Sequence, residues 1–235
     1  MPFLLRCDLP AGLRPSAQTA GRLFALLAAA LVFLTVPAAK AETVRLMAFG
    51  DSLTHGYGLA AGDTFPEQLE TALKAEGLDV LVINAGNSGD TTAAGRARLD
   101  WALADRPTAV ILELGANDGL RGLDPAATYD NLDAIMDRLS AAGLPVLIAG
   151  MLAPPNLGRE YGEAFNSVFP RLAEKYRAPL YPFFLDGVAL VPELNQPDGI
   201  HPNAAGVAEI VRRIKPHVVE LVEAAALAQG SVQSN

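Results

Sequence analysis

The chain is organised around one stretch, Ala48-Phe49-Gly50-Asp51-Ser52-Leu53-Thr54-His55-Gly56-Tyr57-Gly58. The mostly apolar run Val44 to Phe49 leads into this glycine-rich turn, where a serine directly follows an acidic residue. An apolar run ending in such a turn predicts a first β-strand, with Ser52 on the turn into a helix. Ligands of open α/β sheets bind at this carboxyl edge. Ser52 is therefore a candidate nucleophile if a base and an oxyanion pocket are found elsewhere.

Short apolar strands and amphipathic helices alternate along the rest of the chain. Four further strands are predicted at Val80 to Ile83, Ala109 to Leu114, Val146 to Ala149 and Pro179 to Phe184. Helices are predicted from Phe65 to Glu76, from after Thr92 through Leu103, and from Pro125 to about Gly143. Two more are predicted, from about Tyr161 to Tyr176 with a break or kink at Pro170, and after Pro202 with a bend or interruption at Pro216. This alternation predicts an α/β fold, a three-layer α/β/α sandwich around a flavodoxin-like parallel five-stranded sheet.

Residues 1–41 have the pattern of a cleaved signal peptide. Arg6, Arg14 and Arg22 precede the uncharged run Leu23 to Val36, and Ala39-Lys40-Ala41 completes an A-x-A cleavage pattern. The run is short for a membrane span, which disfavours the alternative of an uncleaved anchor. The prediction is export, to the periplasm or to the medium.

The remaining 194 residues, 42–235, are predicted to form one domain with a polar, frayed tail after about Ala228. They contain 14 basic and 25 acidic residues, a net charge of −11, which argues against nucleic acid or an anionic membrane surface as the main partner. The only cysteine, Cys7, lies in the predicted signal peptide. We therefore expect no disulfide, no cysteine metal site and no stable lipid anchor in the mature protein. The sequence does not indicate an oligomeric state.

Chemically useful residues fall in loops that a doubly wound sheet brings to one edge: Ser52, Gly89, Asn117, Asp198 and His201. Each has an ordinary structural explanation by itself, such as a helix cap or a turn position. Together they are harder to explain in that way. His201 follows Asp198 by three residues, so Asp198 could orient an imidazole that accepts the Ser52 proton. Backbone N–H groups of Ser52 and Gly89 and the Asn117 amide could stabilise an oxyanion.

These residues lie in four blocks, Gly50-Asp51-Ser52-Leu53, Ser88-Gly89-Asp90, Gly115-Ala116-Asn117-Asp118 and Asp198-Gly199-Ile200-His201-Pro202. In this order and spacing the blocks resemble the SGNH (GDSL-type) hydrolase family. The similarity is greatest to its bacterial periplasmic branch of thioesterase I, protease I or lysophospholipase enzymes and their arylesterase relatives. It covers essentially the whole of residues 42–235.

The resemblance implies specific roles for these residues. Ser52 is the expected nucleophile, His201 the general base and then acid, and Asp198 the group that orients it. The expected oxyanion hole consists of the Ser52 and Gly89 N–H groups and Asn117. No cofactor and no metal are expected. The candidate substrate-binding residues are Asp51, Leu53, Asp118, Leu120, Pro155 and Leu157.

The predicted function is a serine esterase for aryl esters, short-to-medium acyl esters and acyl thioesters, with lysophospholipids as a further candidate. Its partner would be a small-molecule ester or lipid substrate. A carbohydrate or peptidoglycan O-deacetylase with the same triad is the first alternative. A non-catalytic phosphate-binding module is a more distant one, because the acidic residues Asp51, Asp90 and Asp118 at the same edge would repel phosphate.

Overall fold

One sheet of five parallel strands forms the centre of the protein, seen in a computed structural model that describes residues 42–233. The strands are β1 (Val44–Gly50), β2 (Val80–Gly86), β3 (Ala109–Glu113), β4 (Val146–Ala149) and β5 (Leu180–Tyr181). Their order, β2-β1-β3-β4-β5, confirms the predicted flavodoxin-like topology. The chain reverses its direction of winding between β1 and β3, and sheets of this type bind ligands at that point. The predicted signal peptide, with Cys7, lies outside the described residues.

Helices cover both faces of the sheet. In chain order they are α1 (Ser52–His55), α2 (Phe65–Ala75), α3 (Thr92–Leu103), α4 (Ala116–Leu120), α5 (Pro125–Ala141), α6 (Arg159–Asn166), α7 (Val168–Tyr176) and α8 (Ala204–Gln233). Helices α2 and α8 pack together on one face, while α5 packs against α3 and α7 on the other. Right-handed crossovers produce this division, because the connection from β1 to β2 runs in the opposite direction to the later ones.

The central strands are apolar because both of their faces are covered. All five residues of β3 are buried, and only Arg45 of β1 is partly exposed. The core continues into α8 through a stripe of buried residues, Val207, Ile210, Val211, Ile214, Val218 and Leu221. Within residues 42–233, no helix combines the length and the hydropathy needed to span a bilayer.

The two edge strands differ from their predicted lengths. Strand β2 continues three residues beyond Ile83, to Gly86. Strand β5 contains only Leu180 and Tyr181, because the prolines on either side, Pro179 and Pro182, have no N–H to contribute to a ladder.

The prolines inside the predicted helices have different outcomes. The break between α6 and α7 falls at Ser167, whereas Pro170 lies in the first turn of α7, where a helix N–H has no acceptor within the helix. The prediction of a break at Pro170 was therefore wrong. Pro216 lies inside α8, which runs without interruption from Ala204 to Gln233, and a bend at this proline stays a prediction.

Candidate active site

The turn after β1 presents Ser52 at the carboxyl edge of the sheet. Asp51 caps α1, since its Oδ1 accepts the N–H of Leu53 at 3.0 Å. The helix has a single turn and ends at Gly56, whose φ of 88° is in the left-handed region that favours glycine. Ser52 is therefore the first residue of a short, capped helix, half-buried and facing a pocket.

Ser52 is connected to two residues that lie about 150 positions further along the chain. The Ser52 Oγ and His201 Nε2 atoms are 3.0 Å apart, and His201 Nδ1 lies 2.7 Å from Asp198 Oδ2. The other Asp198 oxygen accepts the backbone N–H groups of Ile200 and His201, each at 3.0 Å. The structure thus brings the three predicted residues into one hydrogen-bonded chain.

The charge of Asp198 assigns the roles of the two imidazole nitrogens. The His201 side chain, followed by the two backbone N–H groups, lowers the pKa of Asp198 to about 2. Asp198 is therefore ionised at neutral pH and accepts a hydrogen bond from the N–H group at Nδ1 of His201. In the neutral ring, this leaves Nε2 as the hydrogen-bond acceptor for the Ser52 hydroxyl.

Tyr57 and Gln196 also hold the histidine loop, and sequence reasoning missed both. The Tyr57 and His201 rings are 4.6 Å apart between centroids, at an interplanar angle of 38°. The Gln196 side-chain amide donates to the Tyr57 carbonyl at 2.7 Å and to the Pro202 carbonyl at 2.9 Å. These contacts join the loop to the segment after α1. No motif in the sequence marked either residue, because tyrosine and glutamine occur in loops for many structural reasons.

The three predicted oxyanion donors lie on neighbouring loops. Asn117, in α4, donates its amide to Asp51 Oδ2 at 3.1 Å. The Arg121 guanidinium donates to the Gly89 carbonyl at 3.0 Å, which joins the loop after β2 to α4. Gly89 has a φ of 87° and needs to be glycine for that reason. Within the described residues, the N–H groups of Ser52 and Gly89 have no hydrogen-bond acceptor and are available to a ligand.

An apolar pocket of about 390 Å³ opens in front of Ser52 and His201. Leu53, Leu120 and Pro155, three of the predicted substrate-binding residues, line it. Leu152 and Ala153 also line it, as expected for an apolar loop near Leu152 to Leu157 that could hold an acyl chain. Sequence reasoning missed most of the remaining lining, which includes Met151, Phe183, Leu185, Leu190 and Ile200.

The other three candidate substrate-binding residues do not line this pocket. Asp118 is buried and accepts the Thr92 N–H at 2.8 Å and the Thr92 hydroxyl at 2.5 Å. Asp51 is also buried. Leu157 lies on the far side of the loop after β4, where it faces Gly122. The carboxylates of Asp51 and Asp118 therefore connect segments of the chain by hydrogen bonds. The periodicity of the sequence did not predict that they are buried.

Glu113, the last residue of β3, is a further buried carboxyl beneath the Ser52 turn. One sequence signal could have found it, because an acidic residue that ends an otherwise apolar strand is unusual. Among residues 42–233, no group of three or more His, Cys, Asp or Glu side chains is arranged to hold a metal ion.

The model of the GDSL-like lipase/acylhydrolase family matches residues 48–208, which include Ser52, Gly89, Asn117, Asp198 and His201. The chain belongs to this family. The GDSL-like family consists of lipases and acylhydrolases, and the chain is accordingly a serine hydrolase that acts on ester bonds.

Named relatives of the GDSL-like family agree with this assignment. Esterase TesA of Pseudomonas aeruginosa is 42% identical over 194 residues, which cover 82% of this chain and 95% of the relative. Thioesterase 1/protease 1/lysophospholipase L1 of Escherichia coli K12 is 42% identical over 174 residues, which cover 74% and 81%. The crystal structure of AlinE4, an SGNH-hydrolase family esterase, is 48% identical with a TM-score of 0.65, over 76% of this chain and 96% of AlinE4.

Proposed function

We propose that Ser52, His201 and Asp198 are the catalytic triad of an esterase that forms an acyl-enzyme on Ser52. One observation carries the proposal: the hydrogen-bonded chain from Asp198 through His201 to the Ser52 hydroxyl ends in an apolar pocket. A serine hydroxyl becomes a useful nucleophile only when such a base can take its proton.

In the first half of the reaction, Ser52 Oγ attacks the ester carbonyl carbon while His201 Nε2 takes the hydroxyl proton. The carbonyl oxygen becomes an oxyanion, which the N–H groups of Ser52 and Gly89 and the Asn117 amide stabilise. When the intermediate collapses, the bond from carbon to the leaving oxygen or sulfur breaks, and His201 returns its proton to the leaving group. Asp198 keeps the imidazole oriented and stabilises its cationic form throughout.

In the second half, water replaces the alcohol or thiol. His201 takes a proton from this water, which attacks the acyl carbon. When the second intermediate collapses, the bond from the acyl carbon to Ser52 Oγ breaks and His201 returns its proton to Oγ, which releases the carboxylic acid and restores the Ser52 hydroxyl. The same imidazole therefore serves as the base in both halves of the reaction.

The lining of the pocket supports substrates with an apolar acyl or aryl group. Four apolar residues at its mouth are strongly exposed: Leu120, Leu152, Leu190 and Ile200. Such side chains gain free energy when an apolar group covers them, at about 25 cal/mol per Å². We therefore propose short-to-medium acyl esters, aryl esters and acyl thioesters as substrates, with lysophospholipids as a further candidate. The acetyl group of an acetylated glycan is small and would cover little of this apolar surface.

We also propose that the protein is exported and that residues 42–235 form the mature enzyme. The basic segment, the apolar run and the Ala39-Lys40-Ala41 pattern support this proposal. Cleavage after Ala41 would give a mature chain that begins at Glu42. N-terminal sequencing of the exported protein tests this, and an intact N-terminus would argue against it.

Hydrolysis of p-nitrophenyl esters from acetate to palmitate tests the catalytic proposal. The comparison is between the wild type and Ser52→Ala, each also incubated with an organophosphonate that labels active serines. We expect kcat to fall by at least about 10⁴-fold in Ser52→Ala and the label to attach to Ser52 alone. Two equally inert proteins would contradict the proposal, and turnover of acetate alone would favour the deacetylase alternative.

A further inference from the structure

Glu113 lies directly beneath the turn that presents Ser52, although it is not part of the proposed triad. Its Oε2 accepts the Thr54 hydroxyl at 2.7 Å and the Asp51 N–H at 3.3 Å. Both donors belong to the segment around Ser52, one on each side of it. No group in residues 42–233 hydrogen-bonds the other oxygen, Oε1, which is also buried.

Gly50 is packed tightly against this carboxyl group. Gly50 and Glu113 are direct partners at the ends of β1 and β3. A methyl group built on Gly50 would overlap Glu113 Oε2 and Thr54 Oγ1, and it would lie 2.6 Å from the Glu113 carbonyl oxygen. The absence of a side chain at position 50 thus leaves room for the carboxyl group under the turn.

Two fully buried carboxyl groups, those of Asp51 and Glu113, are adjacent here. Asp51 has the donors that stabilise a carboxylate, namely the Leu53 N–H and the Asn117 amide. Glu113 accepts the Thr54 hydroxyl and otherwise has only weaker backbone contacts, with the Asp51 N–H at 3.3 Å and with the Thr54 N–H. Two neighbouring acids in a buried site do not both ionise readily. The hydrogen bonds therefore favour the charge on Asp51.

The other charged groups around the pair act in both directions. His201 in the last loop lowers the pKa of Asp51, whereas the charge of Asp90 after β2 raises it. The Arg98 guanidinium is already engaged, because it donates to Asp90 at 2.5 Å and to the Gly50 carbonyl at 2.9 Å. Burial, and then the charge of Asp51, raise the pKa of Glu113 well above its usual range. Burial raises the pKa of Asp51 to about 6.

We propose that Glu113 is a positioning residue, a neutral carboxylic acid that holds the Ser52 turn in place without adding a second charge beside Asp51. It acts through Asp51 and Thr54 and does not touch the substrate. Asp51 in turn holds the Asn117 amide, so the same buried pair aligns the nucleophile and one oxyanion donor. The catalytic part of this inference rests on the proposed role of Ser52.

Three variants test the positioning role: Glu113→Gln, Glu113→Ala and the control Glu70→Gln. Glu70 also accepts a strand N–H, that of Val82 at 2.7 Å, but it lies on α2 away from Ser52. We expect Glu113→Ala to lower kcat by about 10- to 100-fold with KM nearly unchanged, because a misplaced nucleophile slows the chemistry. Glu113→Gln should retain at least about half of the wild-type kcat, because the glutamine amide is a neutral group with the same shape as a neutral carboxylic acid.

Thermal unfolding across pH tests the charge state without using activity. Folding raises the pKa of Glu113, so the neutral form of this residue contributes to the free energy of unfolding. That contribution is fully present below the pKa of the unfolded state and is lost as the pH rises through the pKa of the folded state. Glu113→Gln should therefore gain in Tm relative to the wild type as pH rises above the usual pKa of a glutamate, about 4.3. For Glu70, burial is outweighed by hydrogen bonds from Lys74 and Val82, which lower its pKa. Glu70→Gln should show no such gain.

Each outcome decides a separate part of the proposal. Full kcat in Glu113→Ala would overturn the positioning role, and equal losses in Glu113→Gln and Glu113→Ala would show that the ionised carboxylate is needed. A falling relative Tm of Glu113→Gln with rising pH would overturn the neutral state. If the wild type hydrolyses no ester, the positioning role fails together with the proposed function, while the unfolding series still decides the charge of Glu113.

Discussion

The loop side and the sheet side of the site hold their residues by different means. On the loop side, Asp198 and His201 are three residues apart, and every bond that orients the aspartate is made within that short segment. On the sheet side, Ser52 follows β1, whereas Glu113 ends β3 and Asn117 lies in the helix just after it. Their bonds cross between the ends of β1 and β3, about 60 residues apart.

Burial follows the same division. The Asp198 side chain is 39% exposed, whereas Asp51 and Glu113 are completely buried. A substitution on the loop side can therefore disturb catalysis without disturbing the core. On the sheet side the same polar bonds carry both the fold and the site, so stability and activity should fall together.

The largest expected effect is a loss of activity on the loop side. Asp198→Asn should lower kcat by about 10³- to 10⁴-fold, because a neutral amide no longer selects the imidazole form with a proton on Nδ1. The Tm should change by less than about 2 °C, since the side chain is partly exposed. Kinetics with a p-nitrophenyl ester and a thermal scan measure both quantities.

Asp186→Asn serves as the matched control for Asp198→Asn. Asp186 is also an exposed aspartate with a side-chain partner, in this case Arg213 at 2.6 Å, but it does not line the pocket in front of Ser52. It should keep full activity. If Asp198→Asn lowers kcat by less than tenfold, or lowers the Tm strongly, the proposed difference between the loop side and the sheet side is wrong.

A smaller effect, on stability and activity together, is expected on the sheet side. Gly50→Ala places a methyl group against Thr54 and Glu113, and overpacking of this kind costs about 1–3 kcal/mol. The displaced turn should also lower kcat. Denaturant unfolding and ester hydrolysis test this expectation.

Gly162→Ala is the matched control, because an added methyl group there meets nothing within 4 Å. Gly162 lies inside α6, where alanine is favoured over glycine by about 0.5–1 kcal/mol. The control should therefore be slightly stabilised and fully active. If Gly50→Ala behaves like Gly162→Ala, the tight packing under the turn has no energetic importance.

The smallest effect is expected at the mouth of the pocket. Leu190 is 85% exposed and has a φ of 64°, a left-handed conformation that is uncommon for leucine. Leu190→Ser should lower kcat/KM a few-fold for the longer p-nitrophenyl esters and leave acetate unchanged, since only a longer chain covers the leucine. Leu227→Ser, at a leucine that is 77% exposed on α8, is the control. An equal change for every chain length would show that Leu190 does not contact the acyl group.

Local patterns were sufficient for most of the fold. Strand β1 and the alternation of strands and helices could be predicted because buried parallel strands are apolar runs that end in turns. The errors arose where neighbouring structure decides the outcome. Pro170 lies in the first turn of α7 where a break was expected, because the break between α6 and α7 falls at Ser167. The length of β5 depends on which of its backbone N–H groups can form hydrogen bonds with β4.

The sequence by itself determined the α/β class and the pairing of Asp198 with His201, because these follow from periodicity and short spacing. Only the tertiary structure decided that Asp51 and Asp118 are buried and that Glu113 lies beneath Ser52. It also decided which apolar loops line the pocket. The physical reason is that burial and long-range hydrogen bonds depend on residues that are distant in the chain, and a local pattern does not record their distances.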